Sequence, residues 1–107
     1  MAYRVRITQS AERDISETIE YISNHSPANA QKWLSELLVV ITSLDSLPLR
    51  QALIPEAEIL KRPLRSINHY SHRIIYEVDE ANEIVNIVRL YHGARDALTA
   101  VEIGQRD

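Results

Sequence analysis

Cysteine and phenylalanine are absent from this 107-residue chain, and glycine occurs only twice. Without cysteine there are no disulfides and no thiolate metal sites, which suits a cytoplasmic setting. Without phenylalanine the core must be assembled from Leu, Ile, Val and Ala. Two glycines cannot build a phosphate-cradling loop, and no Ser, Cys or Thr stands in a nucleophile elbow. No stretch approaches the roughly 18 consecutive apolar residues of a membrane span, so no membrane partner is expected. The opening MAYRVRITQSAERD has no apolar signal core, so export is not expected. His25, His69, His72 and His92 fall into no ligand pattern such as HExxH, and neither a metal nor another cofactor is expected.

A surplus of cations is lacking too, since the formal net charge is −3. Each contact with a phosphate backbone needs a cation, so this balance argues against nucleic acid as the main partner. The average hides a local bias. Lys61, Arg62, Arg65 and Arg73 lie in a stretch, 59–76, that contains no acid but holds His69 and His72. The acids gather elsewhere: Glu12, Asp14, Glu17 and Glu20 near the start, and Glu77, Asp79, Glu80 and Glu83 around a later turn. Such segregation is often no more than a set of solvated faces.

What is present suits one globular domain: 45% hydrophobic residues and 25% charged residues. Tyr3-Arg4-Val5-Arg6-Ile7 alternates with the period of a half-buried strand. Thr8 or Ser10 then caps a helix whose Ala11, Ile15, Ile19 and Ile22 form one apolar stripe, with Glu12, Asp14 and Glu17 near its positive end. Asn24-His25-Ser26-Pro27 breaks it. Ser26 and Pro27 open a second helix with Ala30, Leu34, Leu37, Ile41 and Leu44 in register and Trp33 and Leu38 widening the stripe. So short a break predicts an antiparallel helical hairpin, and each stripe needs a sheet to pack on. Pro48, Pro55 and Pro63 punctuate an irregular connection, 47–62, with a short helical turn near Glu56 to Leu60.

Three strands follow. Arg65 to Asn68 is the weakest. His72 to Val78 puts Ile74, Tyr76 and Val78 on one face and Arg73, Ile75 and Glu77 on the other. A turn at Asp79-Glu80-Ala81-Asn82 leads into Ile84 to Tyr91, nearly continuous in Ile, Val and Leu, as for a central strand covered on both faces. Gly93 ends it. The order β-α-α-β-β-β predicts an α+β fold with a helical hairpin packed on one face of a small antiparallel sheet. A single domain spans 1–107, with 97–107 as a tail that forms one helical turn or frays. The other sheet face is expected to be less covered and to carry polar residues.

The stretch RLYHGARD, residues 89–96, is the densest run of reactive side chains. Arg65, Arg73, Arg89 and Arg95 could converge on the open face, with Tyr91 and His92 at its edge. Such a set can cleave RNA without metal: a base takes the 2′-hydroxyl proton, an acid protonates the leaving oxygen, and arginines hold the developing charge. On the plainer scaffold reading, Arg73 pairs with Glu77 or Glu83, Arg89 pairs with a helix carboxylate, Tyr91 belongs to the core, and His92 only caps a strand end.

The opening YRVRITQSAERDISETIEYI, the middle HYSHRIIYEVD and the closing IVNIVRLYHGARD together resemble the RelE/ParE superfamily of bacterial toxins from type II toxin–antitoxin systems. The resemblance runs from about Tyr3 to Asp96. The HG-x-RD ending after an apolar strand is similar to the ParE, or plasmid-stabilisation, branch more than to the RelE branch. The resemblance implies a toxin neutralised by a cognate antitoxin whose C-terminal segment wraps it. In the ParE branch the target is DNA gyrase and no catalytic set is needed, so Arg62, Arg65, Arg73, Arg89, Tyr91, His92 and Arg95 would serve target or antitoxin binding. In the RelE branch the protein would be a ribosome-dependent mRNA endoribonuclease, with Arg65, Arg73, Arg89, Tyr91 and His92 as its catalytic candidates. A third reading is an inactive homologue that still binds antitoxin. The connection at 47–62 departs from the superfamily's common pattern: it lacks the usual glycine and carries Pro55, Glu56 and Glu58.

Overall fold

The computed structural model of the protein describes residues 2–93. Strand β1 (Arg4–Ile7) leads directly into helix α1 (Gln9–His25). Thr8 makes the junction, because its Oγ1 accepts from the Ala11 N–H at 3.2 Å and its hydroxyl donates to the Ile87 carbonyl at 2.9 Å. The helix start is thus fixed to the sheet as well as capped. Ser26 ends α1 and begins helix α2 (Pro27–Thr42). Its N–H donates to the Ile22 carbonyl at 2.8 Å while its Oγ accepts from the Asn29 N–H at 3.2 Å. One residue therefore makes the corner of the helical hairpin, with Pro27 in the first turn, where a missing N–H costs nothing.

Two 3₁₀ turns, Ser43–Asp45 and Pro48–Arg50, and a short helix α3 (Ala57–Leu60) lead to β2 (Leu64–His69), β3 (His72–Asp79) and β4 (Ile84–His92). The sheet order is β1-β4-β3-β2. The helices and sheet form the expected α+β fold, but the sheet is mixed: β2, β3 and β4 are antiparallel, whereas β1 runs parallel to β4. The helical hairpin explains this. Helix α2 returns the chain to the end of the sheet where β1 began, and the Tyr3 N–H donates to the Asp45 carbonyl at 2.8 Å. Strand β2 then sets out in the direction of β1, and two hairpin reversals bring β4 back to that same direction.

The main core lies between the helices and the sheet. Ala11, Ile15, Trp33, Leu37, Ile41 and Leu44 meet Ile74, Tyr76, Val85, Ile87 and Leu90. Tyr76 is fully buried, and its hydroxyl donates to the Pro48 carbonyl at 2.7 Å; burial pushes its pKa up to about 12. Leu38, expected on the apolar stripe of α2, is 45% exposed, and Val39 beside it is 70% exposed.

The opposite sheet face is less covered than the helix face and carries polar residues, as expected, but it is not open. Ile54 and Ala57, with Leu60 at the margin, pack on Leu64, Ile75, Val88 and Tyr91 to form a second, smaller core. The proline-rich connection folds back across the sheet to make it. Its backbone is anchored where the Ile54 N–H donates to the Leu64 carbonyl at 2.9 Å. With no glycine in the connection, Leu47 and Lys61 occupy its left-handed positions, at φ 50° and 55°.

Strand β4 carries a bulge. Ile75 pairs with Arg89 and Tyr76 with Ile87, so Val88 is the extra residue. Two consecutive residues then face the same side, and the alternation of β4 changes phase at this point. Val88, Arg89 and Tyr91 all lie on the face of the smaller core, while Leu90 and His92 lie on the helix face.

Candidate interaction groove

A groove of about 630 Å³ opens at the end of the sheet where β4 outruns β1. Asp14, Glu17, Thr18 and Tyr21 form one wall, spaced three and four apart so that they share a face of α1. Ile22, Trp33 and Leu90 provide apolar lining. The other wall comes from the tip of the β2–β3 hairpin, Tyr70-Ser71-His72, and from Arg89, Tyr91 and His92 of β4. A smaller hollow of about 250 Å³ continues past Trp33 and Tyr70 between Asn29, Lys32 and Glu36.

Asp14 holds the β4 end of the groove. Its Oδ2 accepts from Arg89 Nε at 2.7 Å and its Oδ1 from Arg89 Nη2 at 3.0 Å, a bidentate pair. The same Oδ2 accepts from the Leu90 N–H at 2.9 Å. Strand β1 ends at Ile7, opposite Ile87, so Leu90 lies beyond its reach, and the carboxylate supplies the acceptor that a longer β1 would have given. The Arg89 guanidinium also lies over the Tyr91 ring, 4.5 Å from its centroid.

The hairpin wall is built from rings. Trp33 touches His69 and His72, at centroid separations of 5.2 and 5.6 Å, and His72 meets His92 edge-on at 5.3 Å. His69 is buried and its Nε2 donates to the Trp33 carbonyl at 3.1 Å, which fixes the proton on that nitrogen. Burial, with His92 and His69 as further causes, lowers the pKa of His72, and its Nδ1 is buried with no hydrogen-bond partner among the described residues. Tyr70 is 65% exposed, sits at a left-handed φ of 55°, and donates its hydroxyl to the Glu36 carboxylate, which raises the pKa of the phenol. A bulky residue at positive φ is a strained choice that places its ring over the groove mouth. Gly93 closes the wall: its N–H donates to the Ser71 carbonyl at 2.6 Å, and a Cβ there would lie 3.1 Å from that same oxygen.

The arginines singled out in the sequence do not converge. Arg89, Tyr91 and His92 reach the groove. Arg73 lies on the smaller-core face, where its Nη2 meets Glu56 Oε2 at 3.2 Å. It pairs with the connection and not with Glu77 or Glu83. Arg62 takes Glu77 instead, with Nη2 to Oε1 at 3.2 Å. Arg65 stands opposite Tyr76, on the helix face, and its Nη1 donates to the carbonyls of Gln51 at 2.5 Å and Leu49 at 3.4 Å. Arg95 and the 97–107 tail lie outside the described residues. Sequence reasoning missed Tyr21, Trp33 and Tyr70 as groove residues. Their one available signal was the grouping of Tyr70 between His69 and His72. No group of three metal-binding side chains occurs among the described residues, and none of their helices is long and apolar enough to cross a membrane.

A family model described as the ParE toxin of type II toxin–antitoxin systems, parDE, matches residues 5–97. Among solved structures, the chain is similar to the toxin–antitoxin complex RelBE2 from Mycobacterium tuberculosis, with 24% identity and a TM-score of 0.60 over 89% of this chain and 95% of that one. It is also similar to the chromosomal ParDE toxin–antitoxin system from P. aeruginosa, with 14% identity and a TM-score of 0.66 over 85% of this chain and 96% of that one. At these identities the two structures bear on the fold alone. No curated protein matches the chain.

Proposed function

The chain belongs to the ParE toxin family of type II toxin–antitoxin systems, and from that premise we propose that it arrests growth by binding DNA gyrase and that a cognate antitoxin keeps it silent. One observation carries the choice of binding over chemistry: the cations that a metal-free ribonuclease would need are already engaged. Arg62, Arg73 and Arg89 are each paired with a carboxylate, and Arg65 is bonded to backbone carbonyls. A guanidinium neutralised at about 3 Å has little field left to hold a phosphorane. The net charge of −3 points the same way, because a ribosome repels an acidic ligand. That both similar structures are toxin–antitoxin pairs supports the antitoxin as partner.

The competing reading, a ribosome-dependent endoribonuclease, draws on His72 and His92. Their rings lie 5.3 Å apart at the groove, and burial lowers the pKa of His72, which favours its neutral form. The two readings separate in purified systems. The toxin should inhibit gyrase supercoiling, with relief by the antitoxin, and programmed ribosomes should keep their mRNA intact. Unchanged supercoiling at high toxin excess contradicts the gyrase assignment. Cleavage of mRNA that His92→Gln abolishes would establish the ribonuclease instead.

A further inference from the structure

We infer that the groove receives an antitoxin segment carrying an arginine or lysine one helical turn from an apolar anchor. The inference rests on the reading that an antitoxin holds this chain, and it adds where the segment sits and what charge it brings. Two features define the chemistry. The apolar lining, Ile22, Trp33 and Leu90, suits a leucine-sized anchor, since a buried anchor in a pocket supplies most of the affinity of such contacts. The rim is acidic and aromatic. Glu17 and Tyr21 lie one turn apart on the same wall of α1, both exposed, and Tyr21 is 67% exposed.

Charge decides between a basic and an acidic occupant. Asp14 is consumed by Arg89, and Arg89 by Asp14, so that pair presents little net charge to the groove. Glu36 accepts from Tyr70 at the far end, with Lys32 beside it on the rim of the smaller hollow. Burial lowers the pKa of His72 and so disfavours a positive charge there. Glu17 remains as the carboxylate on the wall with no ion-pair partner among the described residues. A guanidinium placed there meets the Glu17 carboxylate and the face of Tyr21 together, a pairing of ion pair and cation–π contact. A carboxylate placed there meets Glu17 without compensation.

The probes are 11-residue amphipathic peptides, acetylated and amidated, with leucines at three positions of one helical face and arginine, norleucine or glutamate one turn from the central leucine. Binding is followed on ¹⁵N-labelled full-length protein by the indole N–H of Trp33, the only tryptophan in the chain. The arginine peptide should shift Trp33 and bind about fivefold tighter than the glutamate peptide at moderate salt, as expected of a single exposed pair. Glu17→Gln should erase that preference and leave the norleucine peptide unaffected, and Glu17→Arg should reverse it. Equal or tighter binding of the glutamate peptide to the unaltered protein, or shifts that spare Trp33, overturns the inference. Failure of the cognate antitoxin to form any complex strikes the antitoxin reading itself. A tight complex indifferent to Glu17→Arg removes only the groove.

Discussion

At the scale of single residues, Asp14 is the most consequential side chain of the groove. It neutralises Arg89 and satisfies a strand N–H that no neighbouring strand reaches. Asp14→Ala should lower unfolding free energy by about 2–3 kcal/mol, below the cost of breaking a fully buried pair because both partners keep some exposure. Chemical denaturation checks this, and Asp14→Asn should lose less, since its amide oxygen still accepts from Leu90. His72 makes a second prediction, this time in pH. Burial lowers its folded-state pKa below the ordinary 6.5, so the unfolded chain takes up a proton first as pH falls. Its contribution to stability is complete above about pH 6.5 and declines below it, as linkage requires. The urea midpoint should therefore fall between pH 7.5 and pH 5 by more in the unaltered protein than in His72→Gln. Equal falls would show that His72 is not the group responsible. The sequence foreshadowed a pair between Arg89 and a helix carboxylate, but not which one, since Asp14 is one of fifteen acids, and nothing in it singled out His72 among four histidines.

At the scale of elements, periodicity exposed what depends on local spacing. The stripes of α1 and α2, the caps Thr8 and Ser26, and the alternation of β3 are all visible in the chain, because each is set by residues within one or two turns. What stayed hidden is set by distant partners. The Val88 bulge changes the phase of β4, and nothing in the run Ile84–His92 marks where the count slips. The parallel β1–β4 pair depends on where α2 delivers the chain. The connection reads as loop because of its prolines, yet it covers a sheet face, and Glu56 and Glu77 answer Arg73 and Arg62 there. Its burial can be tested at Ile54, which is 4% exposed. Ile54→Ala should cost about 2–5 kcal/mol in unfolding free energy, the range for large-to-small changes in a packed core. A cost within about 0.5 kcal/mol, typical of surface positions, would mean that the connection does not seal that face.

At the scale of the whole molecule, fold and charge lead to one account. The toxin scaffold is present, with helices on one face of the sheet and the connection on the other. Arg62, Arg73 and Arg89 are spent on internal carboxylates and Arg65 on backbone carbonyls, which leaves an acidic protein with an aromatic groove in which the one arginine among the described residues, Arg89, is already paired. Within RLYHGARD, two described residues serve the scaffold: Arg89 is a structural partner of Asp14, and Gly93 makes room for the Ser71 carbonyl. A molecule so arranged is suited to holding another protein. The most direct measurement is to induce the chain without its antitoxin and follow incorporation of labelled thymidine and labelled methionine in the same culture. The account predicts that DNA synthesis stops first while translation continues. Loss of translation ahead of DNA synthesis would contradict it and make the ribosome the target.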